Sequence, residues 1–370
     1  MSTSRTVSSH ISADSLRQAW PKPAVCRPIV IIGAGGIVND AHLPAYRKAG
    51  FPVAGIYDLD RGRAARLAAT WSLPVFDSLA QAVAVPGAVF DLAIPPAAHL
   101  DVLRALPEGA GVLLQKPMGR DLAEATAILR LVQDRKLVAA VNFQLRFAPM
   151  MLAVADAAAR GFFGRIIDID VHITVLTPWH LFPFLNGMPR VEIAVHSIHY
   201  LDLIRGFLGN PRSVMARTLG HPQTKLAQTR TSAILDFDAD VRCLLSINHH
   251  HDFGPRFQDA TIKLEGEEGA AVITLGALLN YPTGMPDAVW ITRQGSDWCQ
   301  VPLIGTWFPD AFIGTMSNLQ RVAAGEDDTL LTSVQDAWHS MALVEACFRS
   351  SAGAATPVPV DVDISHHTGA

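Results

Sequence analysis

The sequence predicts an α/β fold in two parts, a doubly wound parallel sheet followed by an α+β domain. Three observations predict it. Between residues 28 and 147, short β-branched runs alternate with alanine- and arginine-rich segments of helical length, which is the rhythm of βαβ units. Those runs are apolar throughout, as in strands covered on both faces. Beyond residue 147 the strands alternate in polarity and are joined by Gly, Asp and Asn turns, which suits antiparallel pairing. A chain of 370 residues also exceeds one ordinary core, so two domains are expected from length.

Taken in order, residues 1–24 are Ser-rich, lack the continuous apolar core of a secretory signal, and read as a loose disordered tail. The first domain, 25–146, holds the runs PIVIIGAGG, VAGIYDLD, VFDLAI, GVLLQKP and LVAAVNF as strands. Between them DAHLPAYRKAG, DRGRAARLAATW, HLDVLRALPEG and DLAEATAILRLVQDRK carry apolar residues at three- and four-residue intervals, several behind an Asp, and read as helices. The second domain, 147–370, opens with the helix MMLAVADAAARGFFG and the strand RIIDIDVHITV. A loop, TPWHLFPFLNGMP, and a helix, VEIAVHSIHYLDLIRGFLG, follow; then come strands over RTSAILDFDAD, VRCLLSINHHHDF, ATIKLEGEEGAAVITL and AVWITRQ. An amphipathic helix, TSVQDAWHSMALVEACFRSSAG, closes the domain ahead of an extended PVPVDVD tail.

The bulk numbers exclude several functions. A formal charge of -4 gives no broad attraction for nucleic acid or anionic lipid. No apolar run approaches the roughly 20 residues that span a bilayer. The four cysteines, Cys26, Cys243, Cys299 and Cys347, show no CxxC spacing, so a reducing cytoplasm and a small neutral ligand fit best.

In IIGAGGIVNDAHLPAY the glycines follow a strand and precede a helix, the context of a dinucleotide-binding Rossmann turn. Gly33 permits the tight turn and Gly35 lets backbone approach a pyrophosphate; Gly36, Ile37 and Val38 complete the candidate contacts at the helix start. Val38 stands where Gly or Ala is usual, which spreads the turn. Asp58, at the end of the second strand, is placed to accept hydrogen bonds from both adenosine ribose hydroxyls and to repel a 2′-phosphate, so NAD is expected over NADP. Arg61 and Arg63 read as the solvated first turn of the next helix. In the second domain Glu192, His196 and His199 fall at helical spacing on one stripe, which reads either as chemistry or as a hydrogen-bonded face.

The order of GAGGIVNDAHLPAY, YDLDRGRAARLA, DLAIPPAAHL, QKPMGRDLAEA, NFQLRFAP and SIHYLDLIRGFLGNP resembles the Gfo/Idh/MocA oxidoreductases over nearly the whole chain. The resemblance implies a nicotinamide cofactor on the first domain, an open, mainly antiparallel sheet in the second, a site between them, and homodimers or homotetramers built through that sheet. It places the family's EKP lysine at Lys116 and its helical site histidine at His199, the two catalytic candidates. Pro95 matches the proline lying along the cofactor, His99 a structural histidine, and Arg146 an arginine at the domain junction, a candidate substrate contact or a tie between domains. Two departures each remove a carboxylate: Gln115, a candidate cofactor contact, replaces Glu before the lysine, and Val195 replaces Asp before the histidine.

The resemblance implies oxidation of an anomeric or secondary hydroxyl of a small sugar or polyol, an aldose or a branched pentose of the apiose kind, with hydride passing to NAD. Either His199 takes the proton while Lys116 polarises the oxygen, or the two exchange roles. Trp179 and His180 offer an aromatic face and a polar tip for a carbohydrate, with Glu192 and His196 beside them. Strand alternation sends His249 and His251 to one face and His250 to the other. The dehydrogenase reading needs no metal. Its competitors are a metal-dependent enzyme using Glu192, His196 and His199, and a silent NAD and sugar sensor.

Overall fold

A computed structural model describes residues 12–181, 185–237 and 240–356. The PVPVDVD tail and part of the loop before the stripe lie outside them. The first sheet has five parallel strands in the order β2-β1-β3-β4-β5: β1 (Ile29–Ile32), β2 (Val53–Tyr57), β3 (Val89–Leu92), β4 (Gly111–Leu114) and β5 (Val138–Val141). A single parallel bridge, Ile56 to Val75, prolongs it beyond β2 as a vestigial strand. Strand β1 enters the core with all four residues buried, as its uninterrupted apolar run requires. Helices α1 (Leu43–Ala49), α2 (Arg61–Trp71), α3 (Leu79–Val83), α4 (His99–Ala105) and α5 (Leu122–Asp134) connect the strands. Asp60, Ser78 and Asp121 cap α2, α3 and α5 by accepting a backbone N–H three residues on.

The second sheet has eight strands in the order β13-β12-β11-β10-β6-β9-β8-β7. They are β6 (Ile166–Thr174), β7 (Ser213–Leu219), β8 (Arg230–Asp236), β9 (Arg242–Asn248), β10 (Asp259–Gly266), β11 (Gly269–Thr274), β12 (Ala288–Arg293) and β13 (Cys299–Gln300). All pairings are antiparallel except β6 with β9. Alternation makes it one-sided. Ile169, Val171, Ile173, Cys243, Leu245 and Ile247 face inward to α6 (Pro149–Ala159) and α7 (Ile198–Leu208). The opposite face exposes Met215, Ile234 and Trp290.

Two features depart from the sequence expectation. The tail expected to be loose through residue 24 is held down from Ser12 onward. Leu16 and Gln18 are buried, the Trp20 indole meets the Phe147 ring edge-on at 5.4 Å, and its N–H donates to Asp327. Apolar and aromatic side chains with partners on the body outweigh the Ser-rich composition. The second feature is α8 (Asp310–Ala323), for which no helix was expected: its Phe312, Met316 and Leu319 join Ile29, Ile31, Val89 and Leu113 in one core. A helix from the far end of the chain therefore covers one face of the first sheet. Helix α9 (Val334–Ala352) packs on α5 and β7 and so touches both sheets.

Candidate functional site

The carboxyl ends of the first sheet's strands form one wall. Gly33 has φ +108°, and a Cβ there would lie 2.2 Å from the Ala93 carbonyl oxygen, so the close approach of β1 to the end of β3 demands glycine. Gly35, by contrast, faces open space. The Asp58 carboxylate accepts the Ala34 N–H at 2.7 Å and the Asp60 N–H at 2.8 Å, tying the glycine turn to the end of β2. The following helix opens as a π turn over Val38–His42, with Val38 fully buried and Ile37 exposed. The wider turn makes room for Val38 where a smaller residue is usual. Arg61 pairs with Asp77 and Arg63 lies near Asp60, both on the surface as expected. Pro95 begins the short turn that leaves β3, and His99 behind it is wholly buried with both ring nitrogens unpaired.

Beneath this wall runs a hydrogen-bonded chain. His42 Nδ1 meets Asp91 at 2.6 Å, the same carboxylate oxygen accepts the Tyr46 hydroxyl at 2.7 Å, and His42 Nε2 lies 3.2 Å from the Gln115 amide nitrogen. One assignment satisfies all three: His42 donates from Nδ1 and accepts at Nε2. Gln115 Oε1 in turn accepts the Lys116 backbone N–H at 2.9 Å. An amide meets both demands at Gln115, donor toward His42 and acceptor from Lys116, whereas a carboxylate only accepts. Both the nitrogen and the oxygen of the Gln115 amide are thus engaged beside Lys116.

The Lys116 ammonium donates to the Val195 carbonyl at 2.8 Å, and burial lowers its pKa to about 8. That carbonyl is available because residues Ile193–Ser197 form a π turn ahead of α7. Where a carboxylate side chain is usual, Val195 offers its backbone to the lysine and turns its side chain toward Leu185, Val191 and Leu226. His199 is buried, its ring edge-on to Phe143 at 6.3 Å and its Nδ1 unpartnered. Burial, reinforced by the Lys116 charge, holds its pKa well below the usual histidine value.

The π turn also corrects the expected stripe. With five residues to the turn, Glu192 aligns with Ser197, whose hydroxyl lies 2.8 and 3.0 Å from its two oxygens, and not with His199. Glu192 also accepts the Thr231 hydroxyl, and burial raises its pKa to about 7. His196 lies between Trp179, edge-on at 5.2 Å, and His249, stacked at 4.2 Å. The Trp179 N–H donates to the His249 carbonyl at 3.2 Å. His180 is exposed beside it. Arg146 is mostly buried at the domain junction. Its guanidinium is spent on Asp202, Asp336 and the Leu331 carbonyl, which knots the 144–147 turn to α7 and α9.

His249, Thr177 and Thr231 belong to this cluster and were not among the expected site residues. They come from where β6, β8 and β9 run out. His249 continues the inward parity of Cys243, Leu245 and Ile247, so the alternation that separated it from His250 was the available signal.

Residues 27–143 match the family described as oxidoreductase, NAD-binding Rossmann fold, of the Gfo/Idh/MocA group. Over those residues the chain is similar to the Gfo/Idh/MocA oxidoreductases and carries their NAD-binding Rossmann fold. YceM of Salmonella typhimurium, an oxidoreductase by name, is 33% identical over 33% of this chain and 40% of its own length. The D-apiose dehydrogenase of Rhizobium rhizogenes is 25% identical over 68% of this chain and 75% of its own. Among solved structures, an Agrobacterium radiobacter oxidoreductase in complex with NAD+, L-tartaric acid and magnesium superposes with TM-score 0.75 at 21% identity, covering 89% of this chain and 97% of that one. That last likeness shows the fold.

The residues at this turn fit NAD. The turn is open at Gly35, and the buried Asn142 side chain, next to the end of β5, has neither amide atom paired. Both lie at the carboxyl edge of the parallel sheet, where such folds bind dinucleotides. Among the described residues no helix is long and apolar enough to cross a membrane.

Proposed function

We propose that this oxidoreductase removes hydride from an anomeric or secondary carbinol carbon of a small sugar or polyol while Lys116 takes the hydroxyl proton. The observation that carries the reading is Lys116, fixed by the Val195 carbonyl, with a pKa about 8 through burial, beside an unpaired neutral His199. NAD, when bound, supplies the hydride acceptor. Gly33, Gly35, Gly36, Ile37, Val38 and Asp58 would hold its phosphates and adenosine ribose, with Pro95 along its length. Neutral Lys116 keeps one N–H on the Val195 carbonyl and turns its lone pair to the substrate hydroxyl. His199 orients that hydroxyl. It is the weaker base, because burial and the lysine charge both oppose its protonation. Trp179 and His196 form the wall against which a carbohydrate would lie, with His180 at its rim. D-apiose and other aldoses head the substrate series, and copies of the chain would pair through the exposed face carrying Met215, Ile234 and Trp290.

The test is a screen of aldoses, polyols and sugar acids with NAD and NADP, following reduced-cofactor absorbance. On the best substrate, Lys116→Ala and His199→Ala each lower kcat by about 10² or more with NAD affinity nearly unchanged. Full turnover in both variants would overturn the assignment.

A further inference from the structure

Behind the Lys116–His199 pair, three more ligand-type side chains converge. Glu192 is 0% exposed, and the Ser197 and Thr231 hydroxyls hydrogen-bond to its side chain. The ionisable group beside it is His249, whose Nε2 lies 3.7 Å from Oε1, too far for a hydrogen bond. His249 is 1% exposed and leaves Nε2 unpaired, and the stacked His196 leaves Nδ1 unpaired. One ligand atom from each of the three lies within 4.8 Å of the others. Two unpaired ring nitrogens thus face a buried carboxyl with no hydrogen bond joining the three groups. Burying such groups unmatched costs several kcal/mol unless something compensates, and a cation does so for all three at once.

We propose that Glu192, His196 and His249 bind a divalent ion of the zinc class, with water in a fourth position. Two imidazoles and one carboxylate form a donor set for zinc and its transition-metal neighbours, not for magnesium, which takes oxygen ligands. At zinc bond lengths of roughly 2.0–2.2 Å the three donors would close from within 4.8 Å to roughly 3.3 Å apart, with the stacked rings of His196 and His249 turning toward the ion. The outer groups that such a site requires are in place. The Thr177 hydroxyl lies 2.8 Å from His249 Nδ1 and can accept its N–H when Nε2 binds the ion, while Ser197 and Thr231 orient the carboxylate. The ion would pin the ends of β8 and β9 to the π turn carrying Val195. This ligand set replaces the Glu192, His196 and His199 stripe, from which His199 is removed by the turn's width. Hydride transfer does not require the ion, so the two readings stand or fall separately.

The experiment is metal analysis of the full chain after stripping with a chelator, reloading with Zn²⁺ and gel filtration, with Co²⁺ as a spectroscopic probe. The expected result is about one Zn²⁺ per chain, intense visible cobalt bands of four-coordination, and a zinc-dependent rise in Tm. His196→Ala, Glu192→Gln and His249→Ala abolish retention, Thr177→Val weakens it about 10-fold, and His199→Ala retains the ion. Because His196 is partly exposed, its variant serves if the buried ones fail to fold. A reloaded wild-type chain holding less than about a tenth of an equivalent, or a folded His196→Ala variant holding as much as wild type, would overturn the site.

Discussion

On the cofactor wall, His42 is fully buried and both of its ring nitrogens are engaged, one by Asp91 and one by Gln115. On the opposite wall His199 and His249 are buried and His196 half-buried, yet each keeps a ring nitrogen with no protein partner. Identical side chains are treated in opposite ways a few residues from the same lysine. The first arrangement serves the fold: its polar groups satisfy one another and fix the backbone that carries Lys116. The second leaves hydrogen-bonding capacity unspent, which a folded chain tolerates where something else comes to bind. Both walls nonetheless begin from a π turn, at Val38–His42 and at Ile193–Ser197.

The comparison breaks most visibly in stability. His42→Ala leaves the buried Asp91 with the Tyr46 hydroxyl alone and unpairs the Gln115 amide nitrogen, and is expected to cost about 3 kcal/mol by thermal or denaturant unfolding. In metal-stripped protein His196→Ala, which strands nothing, costs under about 1 kcal/mol. Equal losses would erase the distinction between the walls. A second measurement sharpens it at the lysine. Only deprotonated Lys116 accepts a proton, so kcat/KM for oxidation rises about tenfold per pH unit below its pKa and levels near pH 8. A profile that levelled near pH 6.5 would move the base to His199.

The smallest effect concerns His99, the exception on the cofactor side, buried with both ring nitrogens unpaired. Burial lowers its pKa from 6.5 to about 4. Between those values the unfolded chain binds the proton that the folded chain refuses, so stability falls as pH drops below 6.5 and levels off below 4. Tm measured across that window should fall less steeply for His99→Phe than for wild type.

Local features were legible in the sequence and assembled ones were not. The glycine turn, Asp58 and Lys116 each sit at a strand end, where position along the chain is position in space. The stripe was misplaced because its residues were spaced for 3.6 per turn, whereas the π turn inserts one more and rotates Glu192 away. Nothing in VEIAVHS signals that widening beforehand. Helix α8 escaped for a different reason: Thr315, Ser317, Asn318 and Gln320 are buried along with Phe312 and Leu319, so no polar face marks its period. His249 was visible by parity, but its partners Thr177 and Glu192 lie far off in sequence.

Because Phe312, Met316 and Leu319 of α8 share a core with Ile29, Ile31, Val89 and Leu113, the first sheet's packing is completed from residues 310–323. During synthesis Leu43, Tyr46 and Leu67 are at hand to cover that core early, while the α8 side chains arrive only after the second sheet has been made. A product truncated before α8 would keep a partly uncovered apolar patch there, which couples the maturation of the two halves.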